Sequence, residues 1–141
     1  METVIVNVAI LEENNKYLII QRDDNNNEAI TQFWEFPGGK LLPGEDPEHG
    51  LVRNIQETLD IDITIMDIFK VASHIVDDKH VIILAYLCIR NFGEPKKKGC
   101  KDYKWVTLDE LRSGRFDFSK SDKKIINKIS IFSGCGPSLV S

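Results

Sequence analysis

Hydrophobic residues alternate with others from the start of the chain. Val4, Val6, Val8 and Ile10 fall at every second position, so residues 3–11 are predicted to form a strand. Glu12-Glu13-Asn14-Asn15 is a polar turn and Lys16 to Arg22 a second strand, so the pair reads as a hairpin. Residues 23–32 are asparagine-rich and read as a surface loop. The period then changes. Asp46-Pro47 has the form of a helix start, and Leu51, Ile55 and Leu59 follow along one stripe, so a helix is predicted over 47–58. Ile61, Ile63 and Ile65 return to alternation in a strand continuing to about Val71. Further strands are expected at 71–76 and 80–90, joined near Asp77-Asp78-Lys79. Val81 to Cys88 is nearly all apolar, which predicts burial on both faces. Residues 91–100 form a loop whose Lys96-Lys97-Lys98 run reads as solvated. Tyr103 to Val106 is a short strand. Thr107-Leu108-Asp109-Glu110 fits a capping box opening a short helix, and Ser119 to Asp122 opens a last helix over 120–131.

This order of elements predicts an α/β (α+β) fold, with a mixed β-sheet sandwiched between helices. The 141 residues suit one domain, expected over 1–133, with a loose tail over 134–141. A net charge of -4 gives no reason to expect affinity for a nucleic-acid polymer or an anionic membrane. Phosphate would have to be bound locally, by a metal or a few placed cations. Cys88, Cys100 and Cys135 are widely spaced and form no CxxC pair, which argues against a disulfide framework or zinc site and for a reducing cytoplasm. No apolar run is long enough to span a bilayer.

Chemistry concentrates in residues 38–61, GGKLLPGEDPEHGLVRNIQETLDI. This segment resembles the box of the Nudix family, G-x5-E-x7-R-E-U-x-E-E-x-G-U with U a bulky apolar residue. Gly39, Glu45, Arg53, Ile55, Glu57 and Ile61 match, whereas Asn54, Thr58 and Asp60 replace two glutamates and a glycine. The WEFPGGK lead-in at 34–40, the hairpin ending in Gln21-Arg22 and the WVTLDEL run at 105–111 resemble MutT-like members in the same order. The resemblance implies the Nudix fold over residues 3–131, with the box as a loop feeding a helix. It implies pyrophosphohydrolase activity on a nucleoside diphosphate linked to another moiety, with a nucleoside triphosphate, oxidised ones included, as first candidate and ADP-ribose as the next.

The resemblance also assigns roles. Mg²⁺, or Mn²⁺, would be held by Glu57, the Gly38 carbonyl, Asn54 and Asp102. Arg53 and Glu45 would brace loop against helix. Arg22, Phe36, Lys40 and Asp122 would meet the nucleotide, with Asp122 or Lys120 at its base. Helical spacing places 54, 57 and 58 toward one side, where an intact box would gather three carboxylates. Neither Asn54 nor Thr58 can act as a base, and losing a general base slows chemistry about 10²–10⁴-fold. Two readings therefore stand: an active hydrolase, and a nucleotide-binding module that has lost turnover. Monomer and homodimer are both open.

Overall fold

The alternation along the first strand divides its side chains between two cores. Strand β1 (Glu2–Glu13) turns Val8 and Ile10 to one face and Ala9 and Leu11 to the other, and all four are buried. The computed structural model describes residues 1–22 and 33–134; the loop expected at 23–32 and the tail from 135 onward lie outside the described residues. The other elements are β2 (Lys16–Gln21), β3 (Trp34–Glu35), β4 (Gly38–Lys40), α1 (Pro47–Leu59), β5 (Asp62–Val76), β6 (Lys79–Phe92), β7 (Asp102–Thr107), α2 (Leu108–Arg112) and α3 (Lys120–Gly134).

The strands form one sheet in the order β3-β2-β1-β6-β5, with β4 also on β1 and β7 also on β2. β1 runs parallel to β6 and antiparallel to β4, so the sheet is mixed. Leu51, Ile55 and Leu59 of α1 are fully buried with Ala9, Leu11, Leu18 and Ile20. Ile125, Ile126 and Ile129 of α3 pack with Val8, Ile10, Ile19 and Phe36 on the other face. Helices thus cover both faces, as the pattern predicts. No helix among the described residues is long and apolar enough to cross a membrane.

Local chemistry sets the element ends. The Asp46 side chain accepts from the N–H groups of Glu48 and His49, capping α1, and Pro47 needs no donor there. Asp60 takes the left-handed conformation (φ 56°) usual for glycine after a helix, and its N–H donates to the Gln56 carbonyl. Lys96 lies 3.3 Å from the Asp60 carboxylate and Lys98 3.9 Å, so part of the lysine run neutralises this end of α1. Asn14-Asn15 and Asp77-Asp78 carry the paired positive φ angles of tight hairpin turns. Thr107 and Glu110 form the expected capping box.

The structure departs from the pattern at three places. Residues 38–40 of the predicted loop form a strand, because pairing with β1 satisfies their backbone. The segments expected as two strands over 61–76 are one, β5, with register shifts after Ile65 and Ile68 that interrupt the alternation. Val81–Cys88 contributes to both cores as expected, Ile83 and Ala85 to one and Tyr86 and Cys88 to the other, but Leu87 near its end is exposed.

These contacts predict mutational costs. Ile55→Ala should lower stability by about 2–5 kcal/mol through a cavity, and Thr107→Ala by about 1 kcal/mol through a lost cap. Urea unfolding checks both, and a smaller loss for Ile55→Ala than for Thr107→Ala would contradict this packing.

Candidate active site

Two charged groups fasten the loop after β4 to α1. Arg53 donates to Glu45 through Nε at 2.7 Å and Nη2 at 2.9 Å, and through Nη1 to Glu57 at 3.1 Å. Glu45 also accepts from the Leu42 N–H at 3.0 Å. Hydrogen bonding from Arg53, then from Leu42, holds the Glu45 carboxyl down at about 2. A Cβ on Gly50 would stand 2.7 Å from Glu45 Oε1, so a glycine inside the helix makes room for the brace.

On the other side of β4 a cleft of about 440 Å³ opens, lined by Arg22, Phe33, Trp34, Glu35, Lys40, His74, Ser119 and Asp122 among others. Arg22 donates from Nε to Glu35 at 2.6 Å and from Nη2 to the Gly38 carbonyl at 3.0 Å. Asp122 is 4% exposed. Burial, reinforced by the charge of Glu35 and opposed by Ser119 and Arg22, raises its carboxyl to about 8. At neutral pH it is therefore mainly the neutral acid, a hydroxyl donor inside a cleft. His74 Nδ1 lies 2.6 Å from Ser121 Oγ, and burial, then Lys124 and Lys120, lowers its pKa.

Arg22, Lys40 and Asp122 thus line one cleft, but other expected site residues lie elsewhere. Phe36, expected against substrate, is a core residue: it is fully buried and stacks on Phe118 at 6.5 Å. Trp34 and Phe33 supply the aromatic wall instead. Asp102, expected to reach for metal, is not among the residues lining the cleft. Its carboxylate accepts from the Tyr103 N–H and pairs with Lys97 at 3.3 Å. Positions 54, 57 and 58 do not share one exposure: Asn54 and Thr58 are buried at 5% and 6%, while the Glu57 side chain is 62% exposed. The loop before β7 explains part of this, since the Gly99 N–H donates to the Thr58 carbonyl at 2.9 Å.

These donors do not fit a resident divalent ion. Glu57 is the one carboxylate of the three box positions and already pairs with Arg53. The Gly38 carbonyl already accepts from a guanidinium. The Asn54 amide is neutral, 5% exposed and packed against β4, where a Cβ on Gly39 would stand 2.9 Å from its Oδ1, so it is not open to an ion. Among the described residues no group of three or more His, Cys, Asp or Glu could hold a metal.

Sequence reasoning missed Glu35, Gly50 and Ser119 as site residues. Glu35 and Gly50 left signals: a carboxylate between two core aromatics, and a glycine inside a helix where it costs stability.

The structure is thus a mixed sheet between helices, with a braced loop-helix on one side of a glycine strand and a cleft lined by Arg22 and Lys40 on the other. The family model for the NUDIX domain matches residues 6–128, and the chain belongs to that family as a MutT-like Nudix hydrolase. It is 29% identical over 129 residues to an 8-oxo-dGTP diphosphatase of Escherichia coli (strain K12), covering 92% of this chain and 98% of the relative. It is 34% identical over 94 residues to an 8-oxo-dGTP diphosphatase of Proteus vulgaris, covering 65% and 82%. The solution structure of the E. coli ORF135 protein shares its fold, with a TM-score of 0.80 at 22% identity, covering 98% of this chain and 96% of that one.

Asp122 gives a pH test. Unfolded, its carboxyl ionises near 3.8; folded, it keeps its proton to about 8. Between these values the folded state binds more protons, so Asp122 makes stability fall as pH rises and adds no slope above about pH 8. Urea midpoints at about pH 5 and about pH 8 should show a smaller loss for Asp122→Asn than for the parent; equal losses would show an ionised carboxylate.

Proposed function

We propose that the chain hydrolyses a phosphoanhydride in a nucleoside diphosphate linked to a further group, with a nucleoside triphosphate, oxidised bases included, as first candidate and ADP-ribose as second. The observation that carries this reading is the shared cleft of Asp122, Arg22 and Lys40, whose far wall is the strand that feeds the box. The diphosphatase names of the relatives support it.

The neutral carboxyl of Asp122 donates to an acceptor on the base, and Trp34 with Phe33 offers the base an apolar wall. Lys40, at the end of β4, and Arg22 hold the phosphates. With a nucleoside triphosphate, water attacks the α-phosphorus and forms a new P–O bond, its proton passes to solvent, and the bridging P–O bond breaks with its electrons leaving on pyrophosphate, which gives a nucleoside monophosphate. Arg53 and Glu45 keep the loop in place during this step. Nudix hydrolases generally use a divalent metal. Mg²⁺ or Mn²⁺ would here travel with the nucleotide's phosphates, and Glu57 is the exposed carboxylate of α1 that could meet it.

One observation favours the second reading, a binding module without turnover: both neutral replacements, Asn54 and Thr58, are buried in the helix–sheet layer. A panel of nucleotides with Mg²⁺ or Mn²⁺, followed by release of monophosphate and pyrophosphate, separates the two. Under the hydrolase reading Glu57→Gln abolishes turnover, and Asp122→Ala raises KM about tenfold or more through one lost buried hydrogen bond. Ligand-induced thermal stabilisation without product selects the module. Neither binding nor turnover with any nucleotide rejects both.

A further inference from the structure

The misfit of the metal donors has a structural partner on β1. Asn7 is wholly buried, and its Nδ2 donates to the Pro47 carbonyl in the first turn of α1 at 3.1 Å. That carbonyl can only accept, so the bond fixes which way the Asn7 amide turns and leaves its Oδ1 as an acceptor facing elsewhere. Asn7 stands directly opposite Gly39 in the β1–β4 ladder. Residues opposite each other in an antiparallel pair direct their side chains to one face, with Cβ positions about 5 Å apart. The Cβ that Gly39 lacks would stand 2.9 Å from Cγ and Oδ1 of Asn54. Asn7 and Asn54 therefore share the narrow layer between β4, β1 and α1. Within it, Asn7 Oδ1 is a buried acceptor without a partner and Asn54 Nδ2 a buried donor without one.

We infer that Asn7 and Asn54 form a single amide seat, acceptor to donor through one trapped water, which takes the place of the metal-binding carboxylate at position 54. A buried acceptor and a buried donor on two walls of one layer are what a bridging water satisfies. A glutamate at 54 would place an ionised carboxylate in this layer beside the neutral Asn7 amide, with no cation to offset its desolvation. Asn7 is thus a positioning residue. It holds the helix to the sheet through Pro47 and selects a neutral donor, not a carboxylate, across from it. The inference does not depend on which nucleotide the cleft takes.

Two measurements on the full chain test it. In thermal unfolding, Asn7→Ala, Asn54→Ala and the double variant form a cycle; the double variant should lose clearly less than the sum of the single losses. Additive losses would overturn the seat. In a titration with Mn²⁺ alone, read by the electron paramagnetic resonance of free Mn²⁺, the parent and Asn54→Glu should leave the ion free. Asn7→Ala combined with Asn54→Glu should bind it and gain thermal stability with it. Binding by the parent, equal binding by Asn54→Glu alone, or none by the combined variant would overturn the inference.

Discussion

The backbone of β4 lies flush on β1, and the site takes its shape from that contact. A Cβ at position 38 would stand 1.9 Å from the Asn7 carbonyl oxygen, so any side chain there would force the two strands apart. At position 39 the limit comes from the other direction, since the Asn54 amide fills the space a side chain would need. The two glycines are thus demanded by close approach, not by φ, since neither takes a positive φ. With the strands in contact, α1 reaches the sheet on one side while Arg22 reaches the Gly38 carbonyl on the other. One thin strand separates the brace of the box from the cleft lined by Arg22, Lys40 and Asp122.

Charge follows the same partition. On the box side, Arg53 spans Glu45 and Glu57, so the fixed cation is held by fixed anions and the loop after β4 is anchored. On the cleft side, Arg22 is held by Glu35, and Asp122 avoids becoming a buried anion beside Glu35 by keeping its proton. Lys40 has no ion pair among the described residues, which leaves its ammonium available at the junction of the two sides. An acidic protein can therefore present a locally positive spot to phosphate.

Much of this was legible in the sequence because it is local. Asp46-Pro47 at the start of α1, Asp60 in a left-handed cap, the Thr107–Glu110 box and the Asn14-Asn15 turn each depend on neighbours within a few residues. Arg22, Lys40 and Asp122 fell together because the family's ordered motifs carried them. Other features depend on pairings that no local pattern encodes. Phe36 was read toward substrate, yet Phe118, 82 positions along the chain, claims it for the core. Asp102 was read toward metal, yet Lys97 across a loop neutralises it. The double glycine was read as a loop because a three-residue strand has too few side chains to show a period.

The two lost glutamates illustrate why spacing alone misjudges a site. Helical periodicity correctly places 54, 57 and 58 near one another, but it says nothing of what lies over them. Here β4 lies over Asn54, and the loop that includes Gly99 lies at Thr58, so these positions belong to the helix–sheet layer while Glu57 faces out. A carboxylate at either buried position would need a cation beside it to offset its desolvation. The neutral amide and hydroxyl need only hydrogen-bond partners. With Asn7 across from them neutral as well, the layer closes over Asn54 and Thr58 without a buried charge.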